Sequence, residues 1–184
     1  TVNAIDTSGN PISNVPITIT SSKLTFTNPN VAKTTRAANA DSNGQAVFGT
    51  IPWDSYTISV GGGYLIASSS PYQPYSVDPN TTPTLKLVLT TNGSWPRITS
   101  VSPDTETTGN PSSSITINGA NLTGATVKLQ KSGETDIVGT GVTGSGSSIT
   151  ANLNLSSAPP GTWNVVVTTG TGTIVQEGGF YVAP

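Results

Sequence analysis

No stretch of this chain carries an apolar stripe at the 3.6-residue period of a helix. What recurs is alternation of apolar and polar residues in short runs. Val15-Pro16-Ile17-Thr18-Ile19-Thr20, Tyr56-Thr57-Ile58-Ser59-Val60 and Leu85-Lys86-Leu87-Val88-Leu89 are the clearest. Alternation at period two is the signature of a strand that buries one face. The runs return at roughly 8–12-residue spacing, with Gly, Asn, Asp, Ser and Pro between them, which is the rhythm of β-sandwich modules. Hydrophobic residues make up only 33% of the chain. A two-layer sandwich tolerates that, because each strand buries alternate residues. Low hydrophobicity also marks disorder, but disorder usually carries high net charge, and here the net charge is −2.

The side-chain inventory excludes most enzyme chemistry. The chain has no His, no Cys and no Met, and 9% of its residues are charged. Without His there is no imidazole base or imidazole metal ligand, and without Cys no thiol nucleophile, disulfide or thiolate site. Seven Lys and Arg against nine Asp and Glu leave no basic patch for nucleic acid. No run approaches the roughly 18 apolar residues of a membrane span, and no N-terminal signal sequence is visible. The opening at Thr1, already inside a strand-like segment, is expected of a chain whose leader or anchor has been removed.

The pattern breaks once. Thr90-Thr91-Asn92-Gly93-Ser94-Trp95-Pro96 is polar and ends in X-Pro, and a new alternation starts at Ile98. Two domains are expected, residues 1–91 and 92–184, both all-β. In the first, Ile17, Ile19, Val47, Phe48, Ile58, Leu87 and Leu89 are the expected core. In the second it is Ile115, Ile117, Trp163, Val165, Val167 and Phe180. Residues 21–40, with Lys23, Lys33 and Arg36, read as a weak strand around Leu24 and Phe26 plus a long surface loop.

In the first half the ordered series is an opening strand ending in Asp6, the Ser8-Gly9-Asn10-Pro11 turn, Asn43-Gly44-Gln45-Ala46-Val47-Phe48, Ile51-Pro52-Trp53-Asp54-Ser55-Tyr56, and Leu85–Leu89. This series resembles the carboxypeptidase regulatory-like and Cna protein B-type family of transthyretin-like sandwiches. The resemblance implies a spacer, stalk or accessory module of exported proteins. Some relatives close an internal isopeptide bond from a first-strand lysine. Residues 1–6 contain no lysine, so none is expected here.

In the second half the series is Arg97-Ile98-Thr99-Ser100-Val101-Ser102-Pro103, Ile117-Asn118-Gly119-Ala120-Asn121-Leu122, Pro160-Gly161-Thr162-Trp163, and Phe180-Tyr181-Val182. It resembles the immunoglobulin-like fold shared by plexins and transcription factors (IPT/TIG). Bacterial members of that family occur in surface proteins and as spacers of starch-acting enzymes. The fold class expected for the whole chain is therefore two tandem immunoglobulin-like and transthyretin-like β-sandwiches.

Candidate sites are few. Tyr64, Tyr72 and Tyr75 crowd one stretch and are candidate glycan-stacking residues, against the plainer role of covering a sandwich edge. Trp53 and Tyr56 read as half-buried at the start of a strand, and Trp163 as core. Asp6, Asp41 and Asp54 are hard-cation ligand types, but their spacing follows no calcium-loop signature and fits turn aspartates better. Glu106, Glu134, Asp136 and Glu177 are too scattered for a paired-acid mechanism. Asn80, Asn92, Asn121 and Asn154 head N-glycosylation sequons.

The expectation is a non-enzymatic extracellular or cell-surface protein with no cofactor and no metal. It is a structural subunit or stalk of a surface appendage, pilin-like or fibre-associated, with adhesion as an added role. Its partners are neighbouring copies or other surface proteins joined through β-edges, with residues 1–6 as the first participant. The alternatives are a carbohydrate-binding or adhesion module, and accessory domains of a larger secreted hydrolase.

Overall fold

The computed structural model describes the backbone of residues 1–27 and 30–184, and the side chains outside residues 23–33. Every regular element among them is a strand. The chain divides into two compact units, Thr1–Thr91 and Asn92–Pro184.

The first unit contains β1 (Val2–Asp6), β2 (Pro16–Thr27), β3 (Asn30–Asn39), β4 (Gln45–Ala46), β5 (Asp54–Val60), β6 (Leu65–Ser70), β7 (Tyr75–Val77) and β8 (Leu85–Thr90). They form two sheets, β4-β1-β8-β6 and β3-β2-β5-β7. Strand β1 runs parallel to β8 from Val2 opposite Leu85 to Asp6 opposite Leu89, so the first and last strands of the unit lie side by side. The alternation seen in sequence sets the inner faces. Val2, Ala4, Leu85, Leu87 and Leu89 of one sheet are buried with Ile17, Ile19, Tyr56 and Ile58 of the other in one core.

The second unit contains β9 (Arg97–Ser102), β10 (Thr105–Thr107), β11 (Ser113–Ala120), β12 (Thr126–Gln130), β13 (Ile137–Val138), β14 (Thr140–Gly144), β15 (Ser148–Leu153), β16 (Gly161–Thr169) and β17 (Gly172–Ala183). Its sheets are β10-β17-β16-β12-β13 and β14-β15-β11-β9. Trp163, Phe180, Ile115, Ile117, Val165 and Val167 are all fully buried. The Trp163 indole N–H donates to the Pro159 carbonyl at 3.1 Å, which satisfies its one polar group. The Lys131 ammonium sits 5.6 Å from the ring centroid. Gly119 is required at the bulge between β11 and β9, because a Cβ there would run into the backbone carbonyl of Arg97.

Four sequence expectations change. Residues 21–40 are not a long loop: β2 and β3 pair from Pro16–Asn39 out to Thr27–Asn30, with a bulge after Thr20. Leu24 and Phe26 lie on β2, but their side chains, with those of Lys23 and Lys33, are outside the described residues. Val47 is not core; it is 66% exposed. Strand β4 ends at Ala46, which is buried, and beyond it Val47 turns outward while Phe48 is half-buried against the core. The stretch around Tyr75, which its prolines Pro71 and Pro74 mark as a loop in the sequence, is a short strand, and β10 and β14 are strands with no alternation to announce them. Strand β1, finally, is not an edge. It lies between β4 and β8, so residues 1–6 have no free side to offer a neighbour.

The Asn92–Pro96 segment is fastened within the second unit. The Asn121 side chain donates to the Gly93 carbonyl at 2.7 Å and to the Trp95 carbonyl at 2.9 Å. The Thr171 hydroxyl donates to the Ser94 carbonyl at 2.9 Å.

Replacing Trp163 by Ala removes the largest buried side chain of the second core and should cost about 3–5 kcal/mol. Equilibrium urea unfolding followed by fluorescence of the remaining tryptophans checks this, and an unchanged unfolding midpoint would contradict the assignment.

Candidate functional site

The first unit carries a cleft of about 450 Å³. One wall is the 47–53 loop between β4 and β5, contributing Val47, Phe48, Thr50, Ile51 and Trp53. The other is the 78–83 loop between β7 and β8, contributing Asp78, Pro79, Asn80, Thr81 and Thr82. The floor is the mouth of the core, where Ile19, Tyr56, Ile58, Tyr75 and Leu85 close the space from below.

Strand parity places the aromatic groups. Asp54 and Tyr56 point into the sandwich, so Trp53, one residue before the strand, turns outward and is 63% exposed. This corrects the expectation of a half-buried Trp53. Tyr56 is 1% exposed, also not half-buried, and its hydroxyl donates to the Pro52 carbonyl at 2.7 Å. That bond ties the 47–53 loop to the strand beneath it. Gly49 lies at φ 59° with nothing near the position of a Cβ, which lets the loop turn sharply between Phe48 and Thr50. On the opposite wall, the Thr81 hydroxyl donates to the Asp78 carbonyl at 2.8 Å, and Asn80 takes a left-handed φ of 58°. Both walls are therefore shaped by local bonds.

The accessible lining mixes aromatic and aliphatic surface with hydroxyl, amide and carboxylate groups. Among the described residues Asp78 is the only charged side chain on it. The Tyr75 phenol is pushed above its ordinary pKa, first by burial and then by the Asp78 carboxylate, so it stays a neutral hydrogen-bonding group.

Of the three candidate stacking tyrosines, only Tyr75 lines the cleft. Tyr64 and Tyr75 are partly buried against the first core, and Tyr72 is half-buried. They do not form one exposed platform. Trp53 is the ring that stands out in this unit, and parity about the Asp54–Val60 strand is the signal that would have found it. The sequon asparagines also separate. Asn80, Asn92 and Asn154 are exposed. The two amide hydrogens of Asn121 are engaged on the Gly93 and Trp95 carbonyls, so its side chain clamps the preceding segment. The carboxamide oxygens of Asn92 and Asn154 each accept the backbone N–H two residues on, at 3.0 Å.

The aspartates considered as cation ligands serve their own neighbourhoods. Asp6 accepts from the backbone N–H of Ser8 and of Asn10, both at 2.8 Å, and from the Asn10 side chain at 3.0 Å. Asp41 accepts from the N–H of Asn43 at 2.8 Å and of Gln45 at 2.9 Å. Asp54 is buried and accepts from the Ser22 hydroxyl at 2.9 Å. In the second unit Asp136 pairs with Lys128 at 2.7 Å, and Glu106 accepts from the Asn110 side chain. Among the described residues no three His, Cys, Asp or Glu side chains are grouped to hold a metal ion. Nor is there a helix long and apolar enough to cross a membrane.

No protein-family model matches the chain, and no curated protein does. Among solved structures it is similar to SGBP-B from a complex xyloglucan utilization locus in Bacteroides uniformis, at 17% identity and a TM-score of 0.34. That match covers 94% of this chain and 46% of that protein, so the chain spans less than half of its length.

The Asp6 carboxylate is held below the ordinary aspartate pKa, chiefly by the Asn10 side chain and then by backbone N–H groups. A depressed folded pKa means that its stabilisation is complete above about pH 3.9, the unfolded value, and is lost as pH falls through the lower folded value. Carbon-detected NMR titration should show Asp6 titrating below unfolded aspartate. Asp6→Asn should flatten the acid limb of stability as pH falls from the unfolded aspartate value through the lower folded one.

Proposed function

We propose that this chain is a non-enzymatic binding module of an extracellular or cell-surface protein, and that it takes a neutral glycan in the first unit's cleft. The carrying observation is the exposed Trp53 ring standing on the wall of a cleft whose other wall offers hydroxyl, amide and one carboxylate group beside Pro79. A pyranose has an apolar face of C–H groups and a rim of hydroxyls. An indole supplies the stacking surface, and Thr50, Asp78, Asn80, Thr81 and Thr82 supply donors and acceptors around it. With one charged side chain on the lining, the site offers nothing to hold a highly charged ligand.

The architecture supporting this reading is a pair of sandwich modules, transthyretin-like and immunoglobulin-like in the sense of the sequence resemblances, that present loops from rigid sheets. The stalk or pilin-like reading expected residues 1–6 to be the first participant in pairing with neighbours, and β1 is an interior strand. The chain's lack of His and Cys leaves it without the usual nucleophile–base pairs, and its carboxylates are scattered or paired with cations and amides.

The test is calorimetric titration of the chain with a panel of neutral oligosaccharides of different linkage. Saturable binding is expected for at least one, and Trp53→Ala should weaken it about 10- to 100-fold. The melting temperature should barely move, because the ring contributes little to the core. Absence of binding across the panel, or a Trp53→Ala variant that binds as well as the parent, would reject the cleft as a glycan site.

A further inference from the structure

We infer that Tyr75 and Asp78 are the specificity-determining pair of the first unit's cleft, and that together they read one free hydroxyl on the bound sugar. This rests on the glycan reading of the cleft and names the group by which it selects. Tyr75 on β7 lies directly opposite Tyr56 on β5, so both rings project from the same, inward face of the sheet. Both line the floor of the cleft.

The two phenols differ in what their hydroxyls do. The Tyr56 hydroxyl is engaged on the Pro52 carbonyl and holds the 47–53 wall. The Tyr75 hydroxyl makes no matching bond to the 78–83 wall. The Asp78 carbonyl on that wall already accepts from the Thr81 hydroxyl at 2.8 Å and from the Thr81 N–H at 3.4 Å. Among the described residues the Tyr75 hydroxyl has no hydrogen-bond partner, and it is not sealed from solvent. Phenylalanine at this position would pack against the first core equally well, without drawing a hydroxyl partly out of water. A hydroxyl here gains a partner when a ligand enters the cleft.

Asp78 completes the pair. It follows β7 directly, after the buried Val77, and its side chain is exposed on the wall that rises from the strand carrying Tyr75. Its carboxylate acts on the Tyr75 phenol: with burial as the larger cause, it holds that phenol above its ordinary pKa. Tyr75 therefore keeps its proton and donates, while an ionised carboxylate only accepts. A sugar hydroxyl can accept from the one and donate to the other, and its bond to the carboxylate is charge-assisted. An O-methyl group in its place cannot donate to Asp78, and a deoxy carbon can do neither. The floor around Tyr75, formed by Ile19, Ile58 and Leu85, is apolar and offers no substitute partner. The cleft thus selects neutral glycans that are unsubstituted at the position brought to its floor.

Titration calorimetry of the full chain tests this, with di- to tetrasaccharides of glucose, galactose, mannose and xylose and with their monodeoxy forms as probes. For a sugar that binds, removal of one particular hydroxyl should weaken the parent about tenfold or more. Tyr75→Phe should weaken binding of the intact sugar by a similar factor and should no longer distinguish it from that deoxy form. Its melting temperature should match the parent's, because the hydroxyl has no partner within the protein. Asp78→Asn, which keeps an acceptor but not the charge, should weaken the same discrimination. A Tyr75→Phe variant that binds like the parent, or that retains full discrimination against the deoxy form, overturns the inference. If Trp53→Ala still abolishes binding in that case, the glycan reading itself stands. A fall in melting temperature in Tyr75→Phe would also overturn it, by making the hydroxyl structural. A parent that binds none of the probes rejects both the inference and the reading beneath it.

Discussion

The first unit depends on the parallel pairing of β1 with β8. Five consecutive residue pairs, Val2–Leu85 through Asp6–Leu89, join the beginning of the unit to its end. Parallel pairs need a long connection, and here the connection is the whole of the intervening sheet structure. Three consequences follow from this one ladder. Leu85, Leu87 and Leu89 are delivered to the core opposite Ile17 and Ile19. The 78–83 loop, which leads into β8, is brought to the end of the sandwich where the 47–53 loop leaves β4, and the cleft opens between them. And β1 becomes an interior strand, so any strand pairing with another molecule has to use a different edge.

The existence of most strands was legible because alternation is a direct record of which face is buried. Ile17 and Ile19, Ile115 and Ile117, Val165 and Val167 all lie where their parity puts them. What escaped were strands that bury little. The described part of β3 presents Thr35, Arg36, Ala37 and Asn39 to solvent on an edge and packs only the small Ala38 against the core, too little to write an apolar face into the sequence. Strands β7, β10 and β14 are short or glycine-bearing and read as loops for the same reason. The error at Val47 had another cause. Val47 and Phe48 both read as inward because both are large, but β4 ends at the buried Ala46, and beyond it Val47 turns outward.

The candidate site was half legible. Clustered aromatics in the first unit were visible, but which ring is presented depends on parity and loop shape. Tyr64 and Tyr75 are drawn into the core by the strands that carry them, while Trp53 precedes its strand and escapes. Asn121 shows the opposite lesson. Its side chain holds two carbonyls of the preceding segment, a role invisible without the fold.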